Sequence, residues 1–295
     1  MQTTIFGVQQ NTKLKSPLNY IGGKYKLLPQ ILPLFPAKID SFVDLFAGGC
    51  NVIINTNANK YFANDNLSHL IDMYKLFANL GKTNILSHIR SRIKEFDLSK
   101  INESGYKSIR DLYNKDKNPL DLFVLIAYSF NHQIRFNNSH GFNNPFGRNR
   151  SSFNANMERN LITFIDRIVS NNISFSSKNF DDFDISHLSS NDFVYCDPPY
   201  LITTGTYNDG KRGFTGWDSN CEKNLLSLLL LLDSKGVKFA LSNVTHHKGS
   251  TNNLLLDWVN LNAFNTHYLN MDYSNSNYQS NSTPSKSIEV LITNY

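Results

Sequence analysis

Short runs of β-branched and aromatic residues recur along the chain, and segments with a helical period separate most of them. Seven runs are predicted to be strands, at residues 42–46, 61–65, 173–176, 193–197, 237–242, 264–270 and 288–293. Alternating strands and helices favour a parallel sheet covered on both faces, because parallel strands need crossover connections. A polar stretch without helical period joins the last two strands, so we expect an antiparallel hairpin at one edge. The predicted fold class is α/β, with a seven-stranded, mostly parallel sheet.

The connection between the second and third predicted strands is far longer than one crossover helix requires. It covers residues 66–172 and contains three sets of apolar positions with helical spacing. These sets are Leu67, Leu70, Ile71, Tyr74 and Phe77, then Ile85, Ile89, Ile93 and Phe96, and then Tyr106, Ile109, Leu112 and Tyr113. Pro119 can begin a fourth, almost wholly apolar helix that continues through Phe130. We therefore predict an inserted helical region at residues 66–158, within a domain formed by residues 1–65 and 159–295.

Composition indicates a soluble, globular protein, since 40% of the 295 residues are hydrophobic and 18% are charged. We expect a cytoplasmic protein, because no apolar run has the length of a membrane span and residues 1–4 lack the features of a signal peptide. The three cysteines are Cys50, Cys196 and Cys221. They lack metal-ligand spacing and are odd in number, which suits free thiols in a reducing compartment, so no metal site is predicted.

The net charge of +5 is mild, but the charged residues are unevenly distributed. No carboxylate precedes Asp40, whereas five lysines do, and none lies between Asp121 and Glu158. The formal charges of this second stretch are Arg135, Arg148 and Arg150. Two long acid-free stretches indicate a polyanionic partner, although chance in an asparagine-rich chain is an alternative for either stretch alone.

The first predicted strand ends in small residues, including Gly48, and we expect a helix to follow. Glycines at the carboxyl end of a parallel strand let a ligand approach the backbone closely. The spacing Gly-x-Gly-x-x-Gly is absent, which weakens a dinucleotide interpretation. Asp65 ends the second predicted strand, where a carboxylate can hold the two hydroxyls of a ribose or serve as a turn residue.

A second glycine turn, at residues 19–24, precedes a helical segment that runs to Ile31. It contains Gly22, Gly23 and Lys24, and no acidic residue lies near it in the sequence. The turn can close over an anionic cofactor or face a phosphate backbone, and a plain helix start is the alternative.

The fourth predicted strand ends in Asp197, Pro198, Pro199 and Tyr200. Proline has no backbone N–H and fixes its own φ, so this motif cannot continue a strand ladder. It is predicted to be a rigid, extended segment that presents a carboxylate, backbone carbonyls and an aromatic ring. Such a segment suits a flat, polar ligand.

Taken together, these motifs resemble the Dam-type (D12 class, alpha-group) DNA adenine-N6 methyltransferases. The resemblance covers nearly the whole chain, and residues 135–137 and 141–148 match the family's Arg-aromatic-Asn and Gly-x-Phe-Asn-x-Pro-Phe-Gly-Arg stretches. It implies a class I methyltransferase-like sheet, S-adenosylmethionine as the cofactor and double-stranded DNA as the substrate. It also implies a prokaryotic or phage origin, and a cognate restriction endonuclease as a partner to consider.

The resemblance implies two sets of site residues. The cofactor would lie among Tyr20, Gly22, Gly23, Lys24, Asp44, Phe46, Gly48, Asp65, Asn179, Phe180 and Asp197, with Phe180 against its adenine ring. Asn179 stands where an aspartate often precedes that phenylalanine. The catalytic set would be Asp197, Pro198, Pro199 and Tyr200. In it, the Asp197 carboxylate and the Pro198 carbonyl would each accept one N–H of the target amine, and Tyr200 would stack on the base.

The predicted DNA-binding residues are Phe130, Asn131, His132, Gln133, Arg135, Asn137, Arg148 and Arg150. Flipping an adenine out of a duplex costs a few kcal/mol, and stacking on an aromatic side chain returns about 1–3 kcal/mol. Contacts from the arginines to phosphates would supply a further favourable contribution to the free energy of base flipping. Phe130, Phe136 or Phe142 could fill the vacated stack. His132 and Gln133 are candidates for base-edge contact, unless they merely end a helix at the surface.

Residues 203–218 are rich in glycine and are interpreted as a lid that orders over DNA or as an ordinary surface loop. Residues 219–222 have the pattern of a capping box and would start the next helix. Three other functions stay open at this point. They are methylation of an RNA base or a protein amide, DNA binding without catalysis, and, more remotely, NAD-dependent oxidoreduction. Asn19 and Tyr20 replace the Lys-Trp found in many Dam-type enzymes, so a GATC target is not implied.

Overall fold

The computed structural model describes residues 13–203, 216–270 and 287–295, and its strands form one sheet. The strands are β1 (Ser41–Asp44), β2 (Lys60–Asn64), β3 (Ser174–Ser176), β4 (Phe193–Cys196), β5 (Lys238–His247), β6 (Ser250–Thr251), β7 (Asn265–Leu269) and β8 (Ile288–Thr293). All seven predicted strands are present, and the two-residue β6 is an addition that pairs with β5. A two-residue strand is too short to show a hydrophobic period, which is why the sequence did not indicate it.

The strand order is β3-β2-β1-β4-β5-β8-β7. The first five of these strands are parallel, whereas β8 pairs antiparallel with both β5 and β7. The predicted antiparallel pair at one edge is therefore confirmed. Chain order runs outward from β1 to β3 on one side and from β4 to β5 on the other, where β8 then lies between β5 and β7. The boundary between β1 and β4 is thus the position where open α/β sheets bind ligands.

The helices are α1 (Leu28–Ile31), α2 (Ser68–Leu80), α3 (Lys82–Glu95), α4 (Glu103–Asp116), α5 (Pro119–Tyr128), α6 (Ala155–Ser170), α7 (Ser219–Ser234) and α8 (Asn253–Asn262). The four helices predicted for residues 66–130 are confirmed as α2 to α5. The last of these ends two residues before the predicted Phe130, because Ser129 adopts an extended backbone with φ −77° and ψ 161°. No helix in the described part of the chain is long and apolar enough to cross a membrane.

Two local predictions were wrong. No α-helix follows β1, where only a 3-10 turn forms at Ile53–Asn55. The side chains of Asn51 and Asn55 instead accept the backbone N–H groups of Ser16 and Leu14, which ties this segment to the start of the chain. Nor does Ser219 cap α7.

The side chain of Asp218 caps α7, one residue earlier than predicted, by accepting the N–H groups of Asn220 and Cys221. An aspartate in extended conformation is as good a cap as serine, so the helix begins one residue earlier. Glu222 consequently lies beyond the capping position and is fully buried.

Both faces of the sheet are covered, as the continuous apolar strands require. Phe42 and Tyr195 point into one hydrophobic cluster, which also contains the buried faces of α2 to α6. Val43 and Val194 point to the opposite face and pack in a second cluster with α7 and α8. The helices between β2 and β3 are therefore continuous with the core of the sheet.

A buried aspartate joins two of these helices. Asp121 of α5 is fully buried and accepts hydrogen bonds from His88 Nε2 at 2.7 Å and from Arg92 Nε at 2.9 Å, both on α3. Burial by itself would raise the pKa of Asp121, but the hydrogen bonds from His88 and Arg92 outweigh it and lower that pKa below its ordinary value. The ionised carboxylate thus stabilises the folded state.

Asp121→Ala should lower the free energy of unfolding by about 3 kcal/mol at neutral pH, because it leaves the charge of Arg92 without its buried partner. A lowered pKa means that the carboxylate stabilises the fold above the unfolded pKa, and that this stabilisation is lost on acidification. The difference from the unsubstituted protein should therefore shrink below about pH 4. Urea unfolding across pH 3 to 8 would measure the loss of unfolding free energy at neutral pH and its decrease on acidification.

Glu95→Ala is the matched control, since Glu95 is the exposed partner of the same Arg92. Its removal should cost less than about 1 kcal/mol. Equal losses for the two variants would contradict the buried role of Asp121.

Candidate active site

Three carboxylates meet at the carboxyl ends of neighbouring strands. Asp44 is the last residue of β1, Asp65 directly follows β2, and Asp197 directly follows β4. Pairing of β1 with both β2 and β4 brings these ends side by side. Burial is the main cause that raises the pKa of each of the three carboxyl groups. This is the position expected for a ligand site in such a sheet.

The turn after β1 is shaped by Asp65. Its Oδ2 accepts the N–H of Gly48 at 2.9 Å, and its Oδ1 accepts the N–H of Leu67 at the same distance. The hydroxyl of Tyr74 donates to the carbonyl of Gly48 at 2.8 Å. Both oxygens of Asp65 therefore contact the backbone, and its contact with a ribose stays a prediction.

Gly48 itself has no room for a side chain. Its φ is +43°, and a Cβ placed there would lie 2.8 Å from the ring of Tyr20. Tyr20 belongs to the first glycine turn, so the two glycine turns that the sequence indicates are in direct contact. The backbone after β1 is open to a ligand because Gly48 carries no side chain.

One carboxylate oxygen in this site lacks a partner. Asp44 is 1% exposed, and its Oδ1 has no hydrogen-bond partner among the described residues. After burial, Asp197 and then Asp65 are the causes that raise the pKa of Asp44. A buried acceptor without a donor is unfavourable by about 1–3 kcal/mol, so this position suits a ligand that carries an N–H or ammonium group.

Asp197 belongs to a network of four side chains. Lys24 Nζ lies 2.9 Å from Asp197 Oδ1 and 3.4 Å from Glu289 Oε1, and it donates to the Gly22 carbonyl at 2.9 Å. The hydroxyl of Tyr200 donates to Asp197 Oδ1 at 3.0 Å and to Glu289 Oε1 at 3.1 Å. The ammonium also lies over the Tyr200 ring, 5.1 Å from its centroid.

Sequence reasoning missed Glu289. Its strand, β8, pairs antiparallel with β5, so the start of β8 lies near the carboxyl ends of the parallel strands. A signal was present, because Glu289 is a charged residue inside the otherwise apolar run Ile288 to Ile292. Charged residues are almost never fully buried unless paired, and Glu289 is 4% exposed.

The two prolines differ in exposure. Pro198 is buried, whereas Pro199 is exposed, and the Asp197 side chain keeps 18% of its surface accessible. Tyr200 is only 8% exposed, with its hydroxyl held by the two carboxylates. The stacking of Tyr200 on a base stays a prediction, and in this structure its ring packs against the Lys24 ammonium.

An aromatic cluster lies beside the glycine turn. Phe46 follows β1, and its ring centroid lies 5.5 Å from that of Phe180 and 5.7 Å from that of Trp217. Trp217 donates from its ring N–H to Glu222 at 2.7 Å. Asn179, next to Phe180, is exposed. Residues 204–215 of the predicted lid lie outside the described residues, so its two ends, Thr203 and residues 216–218, are the parts placed here.

The predicted DNA-binding arginines have different surroundings. Arg135 donates to the side chain and carbonyl of Asn143, at 2.9 and 2.8 Å, and so holds the hairpin formed by the Phe136–Phe142 bridge. Arg148 is exposed and paired with Glu103. Arg150 is also exposed, and no carboxylate among the described residues pairs with it.

The Arg150 guanidinium lies 4.8 Å from the centroid of the Phe130 ring and 3.4 Å from the Asn131 side chain. Phe130 is 40% exposed and lies at the surface with Asn131. His132 and Gln133 are half-buried, and the Nδ1 atom of His132 has no partner among the described residues. These groups form one exposed patch, which we call the Phe130–Arg150 patch.

The prediction that Phe136 or Phe142 could fill the vacated position in the DNA stack was wrong. Phe136 and Phe142 are 3% and 1% exposed, because their rings pack edge to face in the core of the insertion. Phe130 is the remaining candidate for the vacated stack. Asn137 closes the turn of the same hairpin by accepting the N–H groups of Ser139 and Gly141.

The Phe130–Arg150 patch is connected to the glycine turn of Lys24. Asn19 donates from its side-chain amide to the carbonyl of Asn131 at 2.9 Å. Asn131 adopts a left-handed backbone, which turns that carbonyl toward Asn19. The exposed patch and the buried carboxylate network are thus joined through five consecutive residues, 20–24.

Comparison with known proteins gives a consistent result. The model of the D12 class N6 adenine-specific DNA methyltransferase family matches residues 20–279. The chain is 53% identical over 285 residues to the type II methyltransferase M.FokI of Planomicrobium okeanokoites, and 52% identical over 282 residues to the modification methylase StsI of Streptococcus sanguinis. It is 29% identical over 212 residues to the DNA adenine methylase of Escherichia coli K12.

The lengths of these relatives differ. The matches cover 97% and 96% of this chain but only 43% of M.FokI and of StsI. This chain therefore spans less than half the length of those two relatives. The match to the E. coli protein covers 70% of this chain and 71% of that protein.

Gly48→Ala should destabilise the protein by about 2–4 kcal/mol, because left-handed backbone disfavours a Cβ and the new methyl group would collide with the Tyr20 ring. Gly249→Ala is the matched control. Gly249 also has positive φ, +81°, but its Cβ would meet nothing within 4 Å. Gly249→Ala should lower the free energy of unfolding by about 1–2 kcal/mol, and urea unfolding of both variants provides the measurement. A loss for Gly48→Ala no larger than that of the control would show that the contact with Tyr20 has no energetic weight.

Proposed function

Because this chain belongs to the D12 class of N6 adenine-specific DNA methyltransferases, we propose that it methylates the N6 amine of a flipped adenine in double-stranded DNA, with S-adenosylmethionine as the donor. The observation that carries this proposal is the Asp197 carboxylate. It lies at the carboxyl end of β4, held by Lys24 and Tyr200 and partly accessible. The rest of the site is consistent with this use.

The residues around the glycine turns fit the proposed cofactor. Asp44 Oδ1, which has no partner in the described ranges, matches an ammonium group, which the methionine part of the cofactor carries. Gly48 leaves the backbone open, and Asp65 fixes it. The aromatic cluster with Phe180 offers an apolar surface for an adenine ring. When bound, S-adenosylmethionine supplies an electrophilic methyl group on a sulfonium centre.

The protein has to make a poor nucleophile reactive. The lone pair of the adenine N6 amine is delocalised into the ring, and the attacking nitrogen gains positive charge as the new bond forms. A carboxylate that accepts an N–H of this amine stabilises the developing charge and orients the lone pair. We assign this role to Asp197, with the Pro198 carbonyl as the second acceptor. The two prolines fix the acceptors in advance, so little reorganisation is needed.

Substrate access requires that the target base leave the duplex. The Phe130–Arg150 patch is the part of the insertion that suits this task. Its exposed ring can occupy the vacated position in the stack, and Arg150 can contact a neighbouring phosphate. Arg148 can contribute once it exchanges Glu103 for a phosphate, whereas Arg135 stabilises the hairpin instead.

The names of the relatives suggest the cellular setting. Modification methylases act on the same DNA site as a restriction endonuclease, so we propose a cognate endonuclease as a functional partner and the bacterial cytoplasm as the location.

Asp197→Ala should abolish the transfer of labelled methyl groups from S-adenosylmethionine to unmethylated plasmid DNA, with a loss of at least about 100-fold. Asp40→Ala is the matched control, because Asp40 is half-buried, lies just before β1 at the opposite end of the sheet and pairs with Lys60. It should keep its activity within about twofold of the unsubstituted protein. Sequencing of the methylated positions would then identify the target site.

Two outcomes would contradict the proposed function. The first is an unsubstituted protein that binds the cofactor but labels no DNA, which would redirect the search to RNA or protein substrates. The second is label on adenine that persists in Asp197→Ala.

Arg150→Gln should weaken DNA binding and reduce the slope of log affinity against log salt concentration by about 1, as expected for the loss of one phosphate contact. Lys238→Gln is the control, since it removes one exposed positive charge at the start of β5, at the end of the sheet opposite the active site. Its salt slope should not change. Fluorescence anisotropy of a labelled duplex at several salt concentrations provides the measurement, and an unchanged slope for Arg150→Gln would exclude this phosphate contact.

A further inference from the structure

Glu289 is a buried charged residue that the proposed mechanism has not used. It lies on β8 between the apolar side chains of Ile288 and Val290 and is 4% exposed. A carboxylate at such a position has lost most of its hydration, so its partners must compensate for that loss. Those partners are Lys24 Nζ at 3.4 Å and the Tyr200 hydroxyl at 3.1 Å.

Both partners of Glu289 also contact Asp197. The ammonium lies 2.9 Å from Asp197 Oδ1, and the hydroxyl donates to the same oxygen at 3.0 Å. Two carboxylates from strands far apart in the sequence therefore share one ammonium and one phenol. Removal of either carboxylate would change the geometry and the charge balance at the other.

We propose that Glu289 is a positioning residue for methyl transfer, which holds Lys24 and Tyr200 against a single oxygen of Asp197. This inference rests on the proposed function. The contacts of Asp197 with the Lys24 ammonium at 2.9 Å and with the Tyr200 hydroxyl at 3.0 Å both fall on Oδ1. A carboxylate held through one oxygen keeps the other directed at the incoming amine, and the accessible 18% of this side chain allows that contact.

The same arrangement predicts a pH effect. Burial raises the pKa of Asp197, Lys24 lowers it, the negative charge of Glu289 raises it, and the hydrogen bond from Tyr200 lowers it. The other titratable groups that face Asp197 are Tyr20, Asp44, Tyr195 and Cys196. Burial raises the pKa of each of these four groups well above its ordinary value, which favours their neutral forms. Lys24 and Glu289 are therefore the charged neighbours that decide the ionisation of Asp197.

Glu289→Gln keeps the size of the side chain and removes its charge. We expect kcat to fall about 10-fold, since the neutral amide oxygen holds Lys24 and Tyr200 less strongly than the carboxylate does. Asp197 must be ionised to accept the amine, so activity falls as the pH drops through its pKa. Loss of the Glu289 charge lowers that pKa, and the acid limb of the kcat profile should move to lower pH. Tyr200→Phe should move it to higher pH, because Asp197 loses a hydrogen bond.

A cofactor-binding measurement separates positioning from a general loss of the site. The dissociation constant of S-adenosylhomocysteine, measured by calorimetry, should stay within about twofold in Glu289→Gln. Asp121→Asn is the control for a buried carboxylate elsewhere. It should lower the unfolding free energy without moving the acid limb.

The inference is overturned if Glu289→Gln lowers only the unfolding free energy, with kcat within about twofold and the acid limb unmoved. Should this variant fail to fold, Glu289→Asp takes its place, because it keeps the charge but withdraws the carboxylate from Lys24 and Tyr200. A reduced kcat for Glu289→Asp supports the inference, and an unchanged kcat overturns it. If the unsubstituted protein transfers no methyl group, the proposed function itself is contradicted. If it is active and substitution of Glu289 leaves kcat unchanged, only the inference about Glu289 is contradicted.

Discussion

The Lys24 ammonium is the group on which the active site depends, because its side chain is 4% exposed and it cannot stay charged there without counter-charges. Asp197 and Glu289 supply those charges, and Tyr200 connects them. The network joins the glycine turn near the start of the chain, the motif after β4 and the last strand. Three segments that are far apart in the sequence are thus fixed relative to one another by one buried cation.

The parallel sheet makes this arrangement possible. Its carboxyl ends place Asp44, Asp65 and Asp197 on one edge, at the boundary where chain order reverses. The three carboxylates have different roles in the site, because each has different hydrogen-bond partners. Asp65 binds backbone N–H groups of the glycine turn, Asp197 binds the ammonium and the phenol, and Asp44 keeps an oxygen without a partner among the described residues.

The insertion between β2 and β3 carries the proposed DNA-binding surface, and it has no separate core. Its helices pack in the same hydrophobic cluster as one face of the sheet, so the hairpin after α5 has a fixed position. The contact between Asn19 and Asn131 then joins the exposed Phe130–Arg150 patch to the glycine turn.

Local sequence patterns were sufficient for most of the fold. The seven strands were predicted from runs of β-branched and aromatic residues, and helices α2 to α5 were predicted from apolar positions with a helical period. The failures were local. The expected helix after β1 is absent because Asn51 and Asn55 bind the backbone of residues 14–16, and such long-range contacts leave no periodic signal. Asp218, and not the predicted Ser219, caps α7. Both residue types are good caps, and only the backbone conformation decides between them.

The sequence by itself determined the fold class, the family resemblance and the motifs that we propose for cofactor and base binding, because each of these depends on local patterns and short spacings. Tertiary structure alone decided which of those residues are exposed and which partners they have. It buried Phe136 and Phe142, exposed Phe130 and brought Glu289 to Asp197. The physical reason is that burial and charge pairing depend on contacts between residues that are distant in the chain, and a linear sequence does not record which of these contacts form.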